Sequence, residues 1–176
     1  NGYQGVFENG SLTCYRAFLC KRQIQSISRR GKFIIIKLDS GFLLFHLRMT
    51  GSIVLDLIDN RELKYVSFQL IFSNGLSVFF RDVRKFGRVY ICQNLDWLED
   101  VLGIEPLSDQ MTPAWLHLHL KQRKRMMKPF LMDQRFIAGL GNIYVDEALW
   151  RAKIHPKAIS NTIGKIRSTK LCIGIQ

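Results

Sequence analysis

Residues Arg123–Pro156 read RKRMMKPFLMDQRFIAGLGNIYVDEALWRAKIHP. The stretch parses as basic cluster, helix, glycine turn, helix, stop. Pro129 sits where a helix can begin, because the first helical position needs no N–H donor. Leu131, Met132, Phe136 and Ile137 recur near helical spacing after it. Gly139 and Gly141 break that pattern, and glycine tolerates positive φ. Asn142 is a good N-cap for a second helix carrying Ile143, Ala148, Leu149 and Trp150. His155-Pro156 closes it, because a residue before proline is pushed out of the helical region. A helix that begins at a glycine turn presents free N–H groups and the positive end of its dipole, which is an anion site. Lys121, Arg123, Lys124, Arg125 and Lys128 lie just upstream. On this pattern alone the stretch is equally an ordinary helical hairpin with a solvated basic face.

Upstream the pattern changes. KFIIIKL, FLLFHL, SIVLDLI, YVSFQLIF, LSVFF and RVYIC, between Lys32 and Cys92, are rich in β-branched and aromatic residues. Turn signals separate them: Asp39-Ser40-Gly41, Thr50-Gly51, Asp59-Asn60 and Ser73-Asn74-Gly75. Six short strands at hairpin spacing imply an antiparallel sandwich or barrel. The run Phe33–Ile36 suggests burial on both faces. Residues before Lys32 are mixed, and YRAFLCKRQIQSISRR fits a short helix or a strand. After Cys92 comes a connector with Gly103 and Pro106. Thr112-Pro113 then forms an N-cap and first-turn pair for a helix running to about Arg125. The expected class is α+β: an antiparallel β-sandwich over residues 1–108, then an all-helical domain over 109–176.

The 176 residues are 47% hydrophobic, enough for a real core, and carry a net charge of +12. From Lys121 onward twelve cations face only Asp133, Asp146 and Glu147, so that stretch holds +9 of the total. Such concentration points to a polyanion, most simply nucleic acid. No apolar run reaches the roughly 18 residues of a membrane span. Cys14, Cys20, Cys92 and Cys172 show no C-x-x-C spacing and no paired histidines. They read as reduced thiols rather than a zinc site or a nucleophile.

Two loops in the β half invite a chemical reading. In His46-Leu47-Arg48-Met49-Thr50-Gly51 a flexible apolar side chain sits on a basic turn. Such a Met is either core or an intercalating wedge. In Arg81-Asp82-Val83-Arg84-Lys85-Phe86-Gly87 a Phe lies among cations before a glycine. It is either an exposed turn with a buried ring or a finger whose Arg bonds a base while Phe stacks. Lys32, alone, is a solvated lysine at a strand start.

Taken in order, RRGK, HLRMTG, SNG, DVRKFG, LGIEPLSD and KPFLMDQRFIAGLGNIYVDEALWRAKIHP resemble the formamidopyrimidine-DNA glycosylases, from about residue 15 to 165. GNIYVDEAL favours that branch over endonuclease VIII, a sister family of the same architecture. The resemblance implies a β-sandwich joined to a helix-two-turn-helix domain. It also implies base-excision repair: removal of 8-oxoguanine or formamidopyrimidines from duplex DNA, then strand cleavage by β,δ-elimination. An N-terminal proline amine would attack C1′ of the everted nucleotide, with a neighbouring glutamate handling protons. Lys32 matches the lysine assigned to β-elimination and phosphate contact. His46 matches a phosphate-binding histidine. Met49, Arg84 and Phe86 match the trio that fills the void of the everted base, with Arg84 facing the orphaned cytosine. Gly141 and Asn142 match the phosphate clamp. Arg123 and Lys128 belong to the basic run that approaches DNA.

There are departures from the family pattern. Lys85 stands where a second arginine is usual, and Tyr65 where a histidine is common. The family's Pro-Glu start and its C-terminal four-cysteine zinc finger are not in the sequence. By resemblance the chain is therefore expected to be a fragment that cannot itself perform excision, with no cofactor within it and one zinc ion in a full-length member. A bacterial cytoplasmic monomer associated with DNA, without membrane contact, is implied in the same way. Two competing readings stay open: an endonuclease VIII-type enzyme for oxidised pyrimidines, and a non-catalytic helix-two-turn-helix module that only holds nucleic acid.

Overall fold

In a computed structural model the protein is described over residues 4–55 and 60–176. The chain divides into two compact units, Asn1–Leu95 and Asp96–Gln176.

The first unit contains helix α1 (Leu12–Leu19) and strands β1 (Ile24–Arg30), β2 (Phe33–Leu38), β3 (Phe42–His46), β4 (Gly51–Val54), β5 (Val66–Ile71), β6 (Ser77–Asp82) and β7 (Arg88–Cys92). They form two antiparallel sheets, ordered β1-β2-β3-β7 and β4-β6-β5. All six expected strands lie in them, although SIVLDLI is described only to Leu55; its remainder, with the Asp59 turn signal, falls outside the described residues. The segment left open between helix and strand contains both. Ser11 caps α1, accepting the Cys14 amide at 3.4 Å, and Lys21 in the left-handed region (φ 61°) follows it before β1.

Period-2 alternation builds the core. Ile36, Leu38, Leu43, Phe45, Val89 and Ile91 of one sheet meet Phe68 and Phe80 of the other. The Phe45 ring stands edge-on to Phe80 at 5.5 Å and to Phe68 at 5.7 Å, a favoured aromatic geometry. Ile35 and Leu44, paired across β2 and β3, point the opposite way yet are also buried. Burial on both faces therefore holds for the centre of this sheet.

The second unit contains α2 (Asp96–Val101), α3 (Pro113–Lys121), α4 (Met127–Leu131), α5 (Asn142–Arg151) and α6 (Lys165–Ile175). Thr112 caps α3 by accepting the Trp115 amide at 3.1 Å. Helix α6 packs on α3 and α5, closing a core that includes Leu116, Leu120, Met127, Phe130, Leu131, Val145 and Leu149. The unit begins at Asp96, upstream of the expected division near residue 108. Main-chain bonds explain why: the Gly103 amide donates to the Gln134 carbonyl and the Ala138 amide to the Ile104 carbonyl, both at 2.8 Å. The connector is laced into the helical unit.

Residues 123–156 depart in detail from two helices flanking a glycine turn. Pro129 is the third residue of α4, not the first, though still within the turn whose amides lack intrahelical partners. The helix stops at Leu131, so Phe136 and Ile137 lie in a turn, although both are buried. Asp133 takes the Arg135 amide on its side chain at 3.1 Å, competing with helix continuation. Asn142 is the first helical residue of α5 and Gly141 the cap. The helix ends at Arg151, not at His155. Lys153 adopts φ 54°, its amide donates to Trp150, and the Ile154 amide donates to Leu149. That is a Schellman closure with lysine in the usual glycine place. No helix among the described residues is long and apolar enough to cross a membrane.

Phe80 is 1% exposed and Trp150 is 81% exposed. Phe80→Ala is expected to destabilise the β unit by about 3–5 kcal/mol, and Trp150→Ala to stay within about 0.5 kcal/mol of the parent. Denaturant unfolding followed by far-UV circular dichroism checks both.

Candidate nucleic-acid interface

The two loops singled out from sequence meet. The β3–β4 loop carries Met49, 70% exposed, and the β6–β7 loop carries Phe86, 47% exposed. Arg84 joins them. Its guanidinium donates to the Met49 sulfur at 3.3 Å and lies 4.8 Å from the centre of the Phe86 ring. Both apolar residues directly follow a cation in the left-handed region, Arg48 (φ 57°) and Lys85 (φ 56°). Such residues bend the chain sharply at a cost of order 1–3 kcal/mol each.

The tie between the loops is Asp82, which the sequence reading passed over. It is 1% exposed. One carboxylate oxygen accepts the Thr50 hydroxyl and the Arg84 amide (3.2 Å); the other accepts the Gly87 amide at 2.6 Å. The Arg84 amide is shared with the Thr50 hydroxyl oxygen at 3.3 Å. Burial pushes the Asp82 pKa up, but these donors outweigh it and hold the carboxyl below its usual value. Gly87 is required sterically, since a Cβ there would sit 2.3 Å from the Phe80 ring. The available signal was Asp at the start of a hairpin loop, a residue that bonds nearby amides.

Lys32 immediately precedes β2 and His46 closes the neighbouring β3. The His46 ring stands edge-on to Phe33 at 4.8 Å. Its Nδ1 accepts the Arg48 amide at 3.2 Å, so the neutral ring carries its proton on Nε2. Burial, then the Arg48 and Lys32 charges, lower its pKa to about 4. Burial, with Arg48 second, also lowers that of Lys32. Cations converge here on a neutral imidazole that offers one N–H donor.

In the second unit Gly141 is extended (φ −113°), and the first intrahelical bond of α5 runs from Val145 to Gly141 at 3.0 Å. The amides of Asn142, Ile143 and Tyr144 precede it, and the first turn holds no acidic residue. These features suit an anion. Gln134, also passed over, braces the turn before it. Its side chain donates to the Met132 (2.9 Å) and Leu140 (2.8 Å) carbonyls and accepts the Gly139 amide at 2.9 Å. Gly139 alone of the two turn glycines uses positive φ, at 87°.

The basic run is more engaged than its sequence suggests. Lys128 pairs with Asp146 of α5 at 2.8 Å, Arg125 with Asp133 at 2.8 Å, and Lys121 bonds the Asn161 carbonyl at 2.8 Å. Arg123 lies 5.7 Å from the centres of the Phe130 and Phe136 rings and donates to the His119 carbonyl at 3.4 Å. The backbone of the run is anchored too: the Met127 and Lys128 amides donate to the Ala158 and Pro156 carbonyls.

Thus Met49, Arg84, Lys85 and Phe86 share one loop pair, Lys32 and His46 neighbouring strand ends, and Arg123, Lys128, Gly141 and Asn142 the helical unit. Among the described residues no group of three or more His, Cys, Asp or Glu could hold a metal ion. The zinc implied by resemblance has no ligand set among them.

Comparison with known proteins agrees with these two units. The family model described as formamidopyrimidine-DNA glycosylase N-terminal domain matches residues 7–89, and the formamidopyrimidine-DNA glycosylase H2TH domain matches residues 102–176. The chain is 45% identical over 143 residues to the formamidopyrimidine-DNA glycosylase of Protochlamydia amoebophila, covering 81% of this chain and 52% of that protein. It is 46% identical over 154 residues to that of Roseiflexus sp., covering 86% and 56%. Among solved structures it is similar to Lactococcus lactis formamidopyrimidine-DNA glycosylase bound to DNA containing an AP site (TM-score 0.85, 34% identity, 94% of this chain and 65% of that one). It is likewise similar to the same enzyme with DNA containing an oxidised pyrimidine (TM-score 0.88, 32% identity, 98% and 66%). The chain spans about half the length of the curated relatives it matches. With both domain models matched in order on a β-sandwich and a helix-two-turn-helix unit, the chain belongs to the formamidopyrimidine-DNA glycosylase family.

Proposed function

We propose that this chain serves base-excision repair by gripping duplex DNA and filling the gap left by an everted oxidised purine, in a glycosylase with AP lyase activity. The observation that carries the reading is the Met49–Arg84–Phe86 assembly: two exposed apolar side chains joined by one guanidinium, on loops fixed from beneath. Unstacking a base costs a few kcal/mol. Apolar side chains that enter the gap offset part of that cost. Arg84 has donors for the edge of the unpaired base.

Phosphates are held by three kinds of donor. His46 supplies a neutral Nε2–H, Lys32 a cation, and the first turn of α5 its amides, with Asn142 beside them. Lys32, with its lowered pKa, is also suited to carry a proton during β-elimination. Lys85 adds positive charge beside the void-filling loops of the first unit, and Arg123 and Lys128 add it within the helical unit. The names of the relatives support the oxidised-purine substrate.

Binding of the 176-residue chain to a duplex bearing a tetrahydrofuran abasic analogue, against an undamaged duplex, tests the reading. Log affinity is expected to fall linearly with log salt; salt-independent binding would reject the phosphate grip. Met49→Ala is expected to lower the preference for the abasic duplex several-fold while sparing undamaged-duplex affinity, and equal losses would sink the void-filling role.

The neutral state of His46 has a separate signature. Its folded pKa of about 4 lies below its ordinary 6.5. Between these values the unfolded chain binds a proton that the folded chain excludes, so stability is lost as pH falls through that window. His46→Gln is expected to flatten this loss in thermal melts between about pH 6.5 and 4, and an unchanged slope would show that His46 titrates normally.

A further inference from the structure

We propose that Asp82 is a positioning residue that makes the two void-filling loops enter a duplex as one body. The assignment rests on the void-filling reading of Met49, Arg84 and Phe86. Each loop has bonds of its own, from the Gly51 amide to the Leu47 carbonyl in one and from the Arg88 guanidinium to the Lys85, Phe86 and Gly87 carbonyls in the other, but these do not join the two loops. Asp82 is the buried group at the end of β6 that bonds to both. It reaches the Met49 loop through the hydroxyl of Thr50, the residue next to Met49. It reaches the other loop through the amides of Arg84 and Gly87, which bracket Lys85 and Phe86. Thr50 closes a triangle, because its oxygen also accepts the Arg84 amide. A displacement of one loop is thereby passed to the other. A carboxylate is well matched to this role. Its two oxygens accept several N–H and O–H donors at once, and charge-assisted bonds exceed neutral ones in strength. Asparagine keeps the shape but turns one acceptor into a donor that faces other donors.

The test uses the same pair of duplexes with Asp82→Asn, Thr50→Val and Thr50→Ser. The expected result is about a tenfold fall in preference for the abasic duplex in Asp82→Asn and Thr50→Val, from loss of bonds to a charged group. Undamaged-duplex affinity stays near that of the parent, and Thr50→Ser, which keeps the hydroxyl, retains the preference. If Asp82→Asn does not fold, the Thr50 pair decides, since Thr50 is exposed and bonds Asp82 through its hydroxyl. A preference retained in Thr50→Val overturns the proposal. So does an equal loss of affinity for both duplexes, which marks a merely structural role. Met49→Ala, run alongside, separates the two readings. If it too keeps the preference, the void-filling reading has failed; if it loses the preference while Thr50→Val keeps it, only the positioning role has.

Discussion

A loop that must throw side chains outward has amides that no sheet or helix satisfies, and burying them unpaired is costly. Each unit meets this constraint with a side chain aimed back into the loop. In the β unit it is the Asp82 carboxylate beneath Arg84 and Gly87. In the helical unit it is the Gln134 amide, which accepts from Gly139 and donates to Leu140. Ser160, fully buried, does the same for the basic run, accepting the Arg125 amide and donating to the Arg123 carbonyl. In all three cases the inward group is hydrogen-bonded to the loop it braces, and the groups left outward are those suited to nucleic acid.

Two of the left-handed residues lie in the candidate loops. The left-handed residues Arg48 and Lys85 each precede an exposed apolar side chain. The strain at these positions is offset by the Asp82 bonds and by the packing of Phe80 against the Gly87 backbone. Met49 and Phe86 thus project from loops that Asp82 braces from beneath.

The strands were legible because alternation and turn residues are local signals, and the burial of Ile36, Leu43, Phe45 and Phe80 follows that alternation. The helical stretch was over-read for an identifiable reason. Phe136 and Ile137 have helical spacing, but main-chain bonds from Gly103 and Ala138, which tie this segment to the distant connector, hold it as a turn. Lys153 ends α5 through a conformation that lysine does not advertise. Among site residues, the outward ones were visible as odd side chains in basic loops. Asp82 and Gln134 were not, since a polar residue in a loop reads as solvated until its partners are known.

Charge is where sequence and structure diverge most. A net +12 with +9 after Lys121 suggests many phosphate contacts. Yet Lys128 and Arg125 are paired with carboxylates, Lys121 is spent on a carbonyl, and Arg123 lies over aromatic rings. A cation already paired with a carboxylate releases fewer counterions on meeting a phosphate, so it adds less to salt dependence than a solvated one. Exposed ion pairs are worth little in stability, which leaves positioning as their main consequence: Lys128 is set against α5, whose N-terminal amides are the proposed anion site. The basic run is therefore built less as a diffuse positive surface than as a bracket that fixes where the turn proposed to bind phosphate sits.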